Sequence, residues 1–356
     1  MARSTDDYDE SDVRIRPGRR GSRPRTKDRP AHLNAVSGWV VAVDRGRFTV
    51  RVGDTSGAHR VLAMRARELG RQRLVVGDRV ALVGDTSGRP DSLARIVRIE
   101  PRTTVLRRSA DDTDPIERVI VANADQLVIV SALANPEPRP RLIDRCLVAA
   151  YDADMDPLLV LTKADLADPE PFLQNYAPLE LPHVVTSSHD FSTSGLRLLR
   201  EHLQGRTSVL VGHSGVGKST LVNALVPLAD RATGVVNDVT GRGRHTSSSA
   251  VALALPDDTG WVIDTPGVRS FGLAHVDPAR IIHHFLDLEP GTALCPRGCT
   301  HDEPDCALNQ WVASGAAGPA GPARLESLRR LLRTRVAGSE DGVERHSSSD
   351  GLPAAN

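Results

Sequence analysis

The run Gly212-His213-Ser214-Gly215-Val216-Gly217-Lys218-Ser219 has the spacing G-x-x-x-x-G-K-[ST] and lies between an apolar strand pattern, Ser208 to Val211, and a helical pattern opening at Lys218. Glycines at this spacing let successive backbone N–H groups wrap a polyphosphate, and the helix N-terminus adds partial positive charge. Lys218 would reach the β- and γ-phosphates, and the Ser219 hydroxyl would ligate Mg²⁺. A second acidic group coupled to that Mg²⁺ belongs at the end of a neighbouring strand. Asp264 closes the apolar run Trp261 to Ile263 and opens Asp264-Thr265-Pro266-Gly267, so Asp264 would hold the metal through water and the Gly267 N–H would sense the γ-phosphate. A separate constellation, Cys295, Cys299, His301 and Cys306, offers three thiolates and one imidazole within twelve residues, with Pro296, Gly298 and Pro304 in the turns. Four protein ligands leave no open position, which predicts one structural Zn²⁺ and no metal catalysis. Cys146 lies far from this group and reads as a small buried hydrophobe.

Only three of the 45 basic residues are lysine: Lys27, Lys163 and Lys218. In a chain that writes nearly every cation as Arg, a retained Lys marks a place where a compact ammonium is required. Lys163 sits in Thr162-Lys163-Ala164-Asp165, after the strand pattern Pro157 to Leu161, and this segment resembles the N-K-x-D guanine-specificity motif of GTPases with Thr162 in place of Asn. The Asp165 carboxylate can accept both N1–H and the 2-amino group of guanine, a donor pair that adenine lacks. Thr186-Ser187-Ser188, after Val184-Val185, would offer backbone groups to the guanine carbonyl. The base-reading motif here precedes the phosphate loop, which precedes the Asp264 motif, whereas Ras-like GTPases place base reading last; the order therefore resembles a circularly permuted GTPase. Residues 241–249, rich in Gly and Arg, fall where switch I belongs, and Thr246 or Ser247 would ligate Mg²⁺ there. Val268 follows Gly267 where many Ras-like GTPases have a water-positioning Gln, so intrinsic hydrolysis should be slow. His245 either completes the site or only bonds locally.

The elements that must carry these residues follow from pattern. Strands and helices alternate through Gln126 to Val130, Arg141 to Ala150, Pro157 to Leu161, Gly195 to Leu203, Ser208 to Val211 and Lys218 to Leu225, the signature of βαβ units and a covered parallel sheet. Five short β-rich runs between Gly38 and Ile99, separated by Gly53-Asp54, Gly77-Asp78 and Gly84-Asp85, predict a small barrel of the oligonucleotide-binding type. A helix is expected near Pro278 to Leu286 and a charged one from Leu325 to Val336. The 356 residues carry no net charge, but residues 1–108 hold 24 Lys/Arg against 13 Asp/Glu and the rest 21 against 32. With aromatics at 3%, the basic front suits phosphate and RNA-shape contact better than stacking of unpaired bases. No run of about 20 apolar residues exists to span a bilayer, and clustered cysteines suit a reducing compartment. The expectation is a cytoplasmic chain with a disordered Asp- and Arg-rich N-terminal tail and a disordered polar C-terminal tail.

A basic barrel, a permuted GTPase and a Cys₃His segment together resemble the ribosome small-subunit-dependent GTPase family, RsgA, over roughly residues 36 to 337. Ala122 to Ala132, Leu142 to Ala150 and Asp264 to Leu273 carry further matching stretches. The resemblance implies an N-terminal all-β OB-type barrel (36–104), a central α/β P-loop GTPase domain (105–273) and a C-terminal helical zinc-binding domain (274–337), between tails 1–35 and 338–356. It implies GTP hydrolysis stimulated by the small (30S) subunit through its 16S rRNA, late in that subunit's maturation, by a monomer that engages neither DNA nor membrane. GTP contacts would come from Thr162 to Asp165 and Gly212 to Thr220, catalysis from His245 with Lys218, and zinc ligation from the four Cys/His residues. Thr162 departs from the family's Asn, and two of the zinc-ligand gaps are each one residue shorter. Two alternatives stand beside this: a nucleotide-gated RNA-binding regulator with negligible turnover, motivated by Val268, and a permuted GTPase serving the large subunit.

Overall fold

Alternation of apolar and polar residues builds the N-terminal strands β1 (Val36–Asp44), β2 (Arg47–Val52), β3 (His59–Arg65), β4 (Arg79–Gly84) and β5 (Ala94–Ile99). In β2 the side chains of Phe48, Val50 and Val52 point inward, and they meet Val61, Leu82 and Ile96 in one apolar cluster. The strands pair in the order β1-β2-β3-β5-β4, and β4 returns to β1, which closes the barrel; only β3 and β5 run parallel. This computed structural model describes residues 32–53, 57–70, 72–108, 117–187, 194–227, 250–265, 272–273 and 275–336. The C-terminal tail, all but the last four residues of the N-terminal tail, the 241–249 stretch with His245, Thr246 and Ser247, and Ser188, Pro266, Gly267 and Val268 lie outside them.

A two-stranded ribbon, β6 (Val105–Arg108) with β7 (Arg118–Ala122), follows the barrel. Next come β8 (Gln126–Ala132), α1 (Pro140–Asp152), β9 (Asp156–Thr162), the short α2 (Glu170–Leu173), β10 (His183–Val185), α3 (Ser194–Leu203), β11 (Thr207–Val211), α4 (Lys218–Leu225), β12 (Val251–Ala254) and β13 (Trp261–Asp264). The strand order is β10-β9-β8-β11-β13-β12, parallel except for β12. Because helices cover both faces, the central strand β8 needs no polar side and is buried at all seven positions. Ile143 and Leu147 of α1 pack on one face with Leu127 and Ile129; Leu199 of α3 and Leu225 of α4 pack on the other with Val128 and Val130. β12 also pairs with barrel strand β1, Ala42 opposite Val251, so barrel and parallel sheet form one continuous eleven-stranded sheet.

Beyond β13 the chain forms α5 (Pro278–Ile282), α6 (Ala307–Ala313) and α7 (Gly321–Val336). Asp277 caps α5 by accepting the Ala279 N–H at 3.0 Å. The helix expected to reach Leu286 stops at Ile282. There the bonds tighten to three-residue spacing, Phe285 N–H to Ile282 at 2.8 Å and Leu288 N–H to Phe285 at 2.9 Å, which turns Phe285 into the core. α7 is fastened to the segment after α5 and to the first half of the parallel domain: Arg324 bonds Asp287 (2.8 Å) and the Pro178 carbonyl (2.9 Å), Arg330 lies 3.2 Å from Asp144, and Arg145 donates to the Thr334 carbonyl (3.2 Å). No helix of the described residues is long and apolar enough to cross a membrane.

Candidate functional site

Strand order reverses between β8 and β11, and in an open α/β sheet the crevice at the carboxyl ends of strands at such a point is where ligands bind. The carboxyl ends of β9, β11 and β13 deliver Thr162, Gly212 and Asp264 to this edge. Gly212 leaves β11 so close to β8 that a Cβ there would lie 2.5 Å from the Val130 carbonyl oxygen. Gly217, with φ +91°, turns the loop into α4 in a conformation that L side chains rarely adopt. Between these two glycines run His213, Ser214, Gly215 and Val216, of which Val216 is buried and anchors the loop in the core. Ser219 and Thr220 are exposed on the first turn of α4.

Lys218 Nζ donates to Asp264 Oδ1 and, at 2.7 Å, to the Thr265 carbonyl. The Thr265 hydroxyl in turn donates to the Leu210 carbonyl at 2.7 Å, which locks the end of β13 against β11. The phosphate-loop lysine and the strand-end aspartate, 46 residues apart, therefore form one pair.

The base-reading segment is tied to the same loop. Thr162, only 6% exposed, donates its hydroxyl to the Val216 carbonyl at 2.6 Å. Lys163, at φ +60°, directs Nζ to the Gly215 carbonyl (2.9 Å) and the Asn135 carbonyl. Ala164 N–H bonds the Thr186 carbonyl (3.2 Å), and Ser187 Oγ donates to Asp165 Oδ1 at 2.8 Å, so the Thr186-Ser187 loop lies beside the Asp165 carboxylate. Sequence reasoning missed the tether from Thr162: one hydroxyl spans the two motifs, and only its burial at a strand end would have signalled this.

The Cys/His cluster lies apart from the crevice. The four ligand atoms all lie within 4.8 Å of one another. Cys295 Sγ is 3.8 Å from Cys306 Sγ and 3.6 Å from His301 Nδ1, and Cys306 Sγ is 3.8 Å from His301 Nδ1. Tetrahedral Zn²⁺ with ordinary bond lengths has S–S edges of about 3.8 Å and S–N edges of about 3.5 Å, so donor set and spacing both fit one zinc. Burial pushes the Cys299 thiol up to about 11 and holds His301 below the usual imidazole range; a bound divalent cation would reverse the thiol preference. Around the ligands, Thr300 donates to Glu303 through its hydroxyl (2.7 Å) and amide (3.0 Å), which keeps that carboxyl at about 2. Arg329 donates to the His301 carbonyl (2.8 Å) and to Asn309 (2.7 Å), and Arg333 grips Asp302 with two bonds of 2.8 and 2.7 Å. These supporting arginines of α7 were not legible as such from spacing.

The phosphate loop, the strand-end aspartate and the base-reading loop on this sheet define a circularly permuted P-loop GTPase fold joined to an N-terminal β-barrel. The family described as RsgA GTPase matches residues 99–274. Among curated proteins, the small ribosomal subunit biogenesis GTPase RsgA of Gemmatimonas aurantiaca is 37% identical over 265 residues, covering 74% of this chain and 84% of that one. The protein of that name from Pseudomonas syringae pv. tomato is 41% identical over 267 residues, covering 73% and 74%. Among solved structures, YjeQ from Thermotoga maritima aligns with a TM-score of 0.59 at 28% identity over 85% of this chain and 99% of that one. YloQ, described as a circularly permuted GTPase, shares the fold with a TM-score of 0.60 at 22% identity over 86% of this chain and 96% of that one. The chain belongs to the RsgA GTPase family.

Proposed function

We propose that this chain hydrolyses GTP to GDP and phosphate in the crevice above β8 and β11 and that it acts in maturation of the small ribosomal subunit. The observation that carries the reading is the convergence of Lys218, Asp264 and the Thr162–Val216 tether at one sheet edge, in a chain whose curated relatives bear the name small ribosomal subunit biogenesis GTPase. Asp165 reads the guanine edge, Lys163 lies along the base, and the amides from Gly212 to Thr220 cradle the phosphates. Lys218 moves from Asp264 to the β- and γ-phosphates, where its charge stabilises the transferring group. Ser219 and Asp264, hard oxygen donors, would hold the Mg²⁺ that comes with the nucleotide and offsets its charge, together with Thr246; Gly267 would sense the γ-phosphate. His245 is the group proposed to orient water, since the Val268 side chain has no polar atom to do so.

The domains divide at about residues 104 and 273, and the C-terminal part is a helical module knotted by one structural Zn²⁺ on Cys295, Cys299, His301 and Cys306. The barrel's arginines and this module engage 16S rRNA in the cytoplasm, with the protein a monomer. The deciding assay is GTP hydrolysis by the full chain alone, with small subunits and with large subunits. Stimulation confined to small subunits is expected. Stimulation confined to large subunits would support a large-subunit factor, and GTP-dependent RNA affinity with no turnover would support the regulator reading.

A further inference from the structure

The hairpin β12–β13 carries Asp264 at one end, and the barrel holds it at both ends. At the site end, Asp264 lies opposite Val251 on β12, and Val251 lies opposite Ala42 on β1, so one row across three strands runs from barrel to site. At the far end, the Trp39 ring of β1 meets the Trp261 ring edge-on at 4.6 Å and 72°. Arg51 of β2 stacks 5.1 Å over Trp261 and donates to Asp258 at 2.9 Å. Trp39 is itself fixed, because its Nε1 donates to the Gly77 carbonyl at 3.0 Å, an oxygen that Asn123 also binds at 2.9 Å. Trp39, Arg51 and exposed Arg60 are direct cross-strand partners and so share the barrel's outer face. A phosphate seated beside Arg60 would face the same guanidinium that holds Asp258.

We propose that the Arg51–Asp258–Trp261 joint transmits occupancy of the barrel's outer face by a phosphodiester polyanion to Asp264, making the barrel a regulator of the nucleotide site as well as a grip. The proposal rests on the GTPase reading above. Thermodynamic linkage makes such coupling reciprocal: what the polyanion does to the nucleotide site, the nucleotide does to the barrel strands.

The test uses Asp258→Asn in the full chain. Asp258 has φ +52°, a conformation asparagine tolerates, so the substitution removes the charge without straining the turn. The expected result is a basal GTP hydrolysis rate unchanged within about twofold and a loss of at least about fivefold in stimulation by purified small ribosomal subunits, the lower end of ordinary coupling between sites. Parental stimulation in Asp258→Asn, or an equal loss of basal and stimulated rates, overturns the proposal. A second readout needs no ribosome: exchanging GDP for a non-hydrolysable GTP analogue should change hydrogen-exchange protection of β1 and β2 amides in the parent and not in Asp258→Asn. Unchanged protection in the parent overturns the joint, whereas a parent that small subunits fail to stimulate overturns only the GTPase reading, and the exchange measurement then decides the joint alone.

Discussion

Thr162 shows how much one hydroxyl carries when it is buried. It occupies the position of the asparagine in the usual base-reading motif, yet it still reaches the Val216 carbonyl at 2.6 Å, so the link between base loop and phosphate loop survives. Thr162→Val, close in shape, leaves that carbonyl without its donor; GTP affinity should fall about tenfold, the worth of one hydrogen bond to a buried group, with guanine preference retained. Titration with a fluorescent GTP analogue checks this, and parental affinity would remove Thr162 from the site. Lys218→Ala should lower turnover by at least about two orders of magnitude through loss of charge stabilisation, and single-turnover hydrolysis measures it. At this scale the sequence was most readable where chemistry fixes spacing: Gly212 to Ser219 and the four Cys/His residues need no tertiary information. The Lys218–Asp264 pair and the Thr162 tether join residues 46 and 54 apart, and such distances are invisible to a motif.

The elements were legible where they are long or strictly periodic, as for the five barrel strands, β8 and α1. Among the short ones, the apolar runs of β11 and β13 were legible and others were not. β12 has four residues and α6 seven, too few to display a period, and both are held by what packs on them. The packing of α7 on α1 also makes a pH prediction. Asp144 is buried beside Arg330, and burial pushes its carboxyl up to about 6 despite that guanidinium. An unfolded Asp titrates near 3.9, so between about pH 4 and 6 the folded chain retains a proton that the unfolded chain has released. Stability therefore falls as pH rises through this window, by up to roughly 3 kcal/mol, and Asp144→Asn should flatten the slope. Melting temperatures of the two proteins across pH 4 to 7 would show it; parallel curves would exclude it. The Cys/His knot makes another. Arg329 holds the His301 carbonyl, and Arg329→Ala should weaken zinc affinity about 10- to 100-fold in competition with a chelator, the usual cost of removing a group that supports a metal ligand. A colorimetric zinc dye reads this, and an unchanged affinity would leave Arg329 with a packing role alone.

Among the described residues, the barrel and the parallel sheet join into one eleven-stranded sheet through the pairing of β1 with β12. Motif order makes the permutation readable from the sequence, because base, phosphate and metal-coupled motifs occur in an order that Ras-like chains do not use. The union of barrel and parallel sheet was not readable, since Ala42 and Val251 are 209 positions apart and neither residue type announces the pairing. The charge imbalance of the front end has a measurable consequence at this scale. Binding to small subunits should weaken steeply with salt, and Arg60→Ala with Arg95→Ala, both exposed on the barrel, should reduce the slope of log affinity against log salt by roughly one for each phosphate left without its arginine. Permutation also rearranges the timetable of synthesis. β8 acquires β9 soon after it is made, but its other neighbour, β11, is encoded about 75 residues later, so at 5–20 residues per second the most buried strand of the fold keeps an open edge for roughly 4 to 15 s. A Ras-like order would have supplied β11 first; here the nascent chain must shield β8 until its phosphate-loop strand leaves the ribosome.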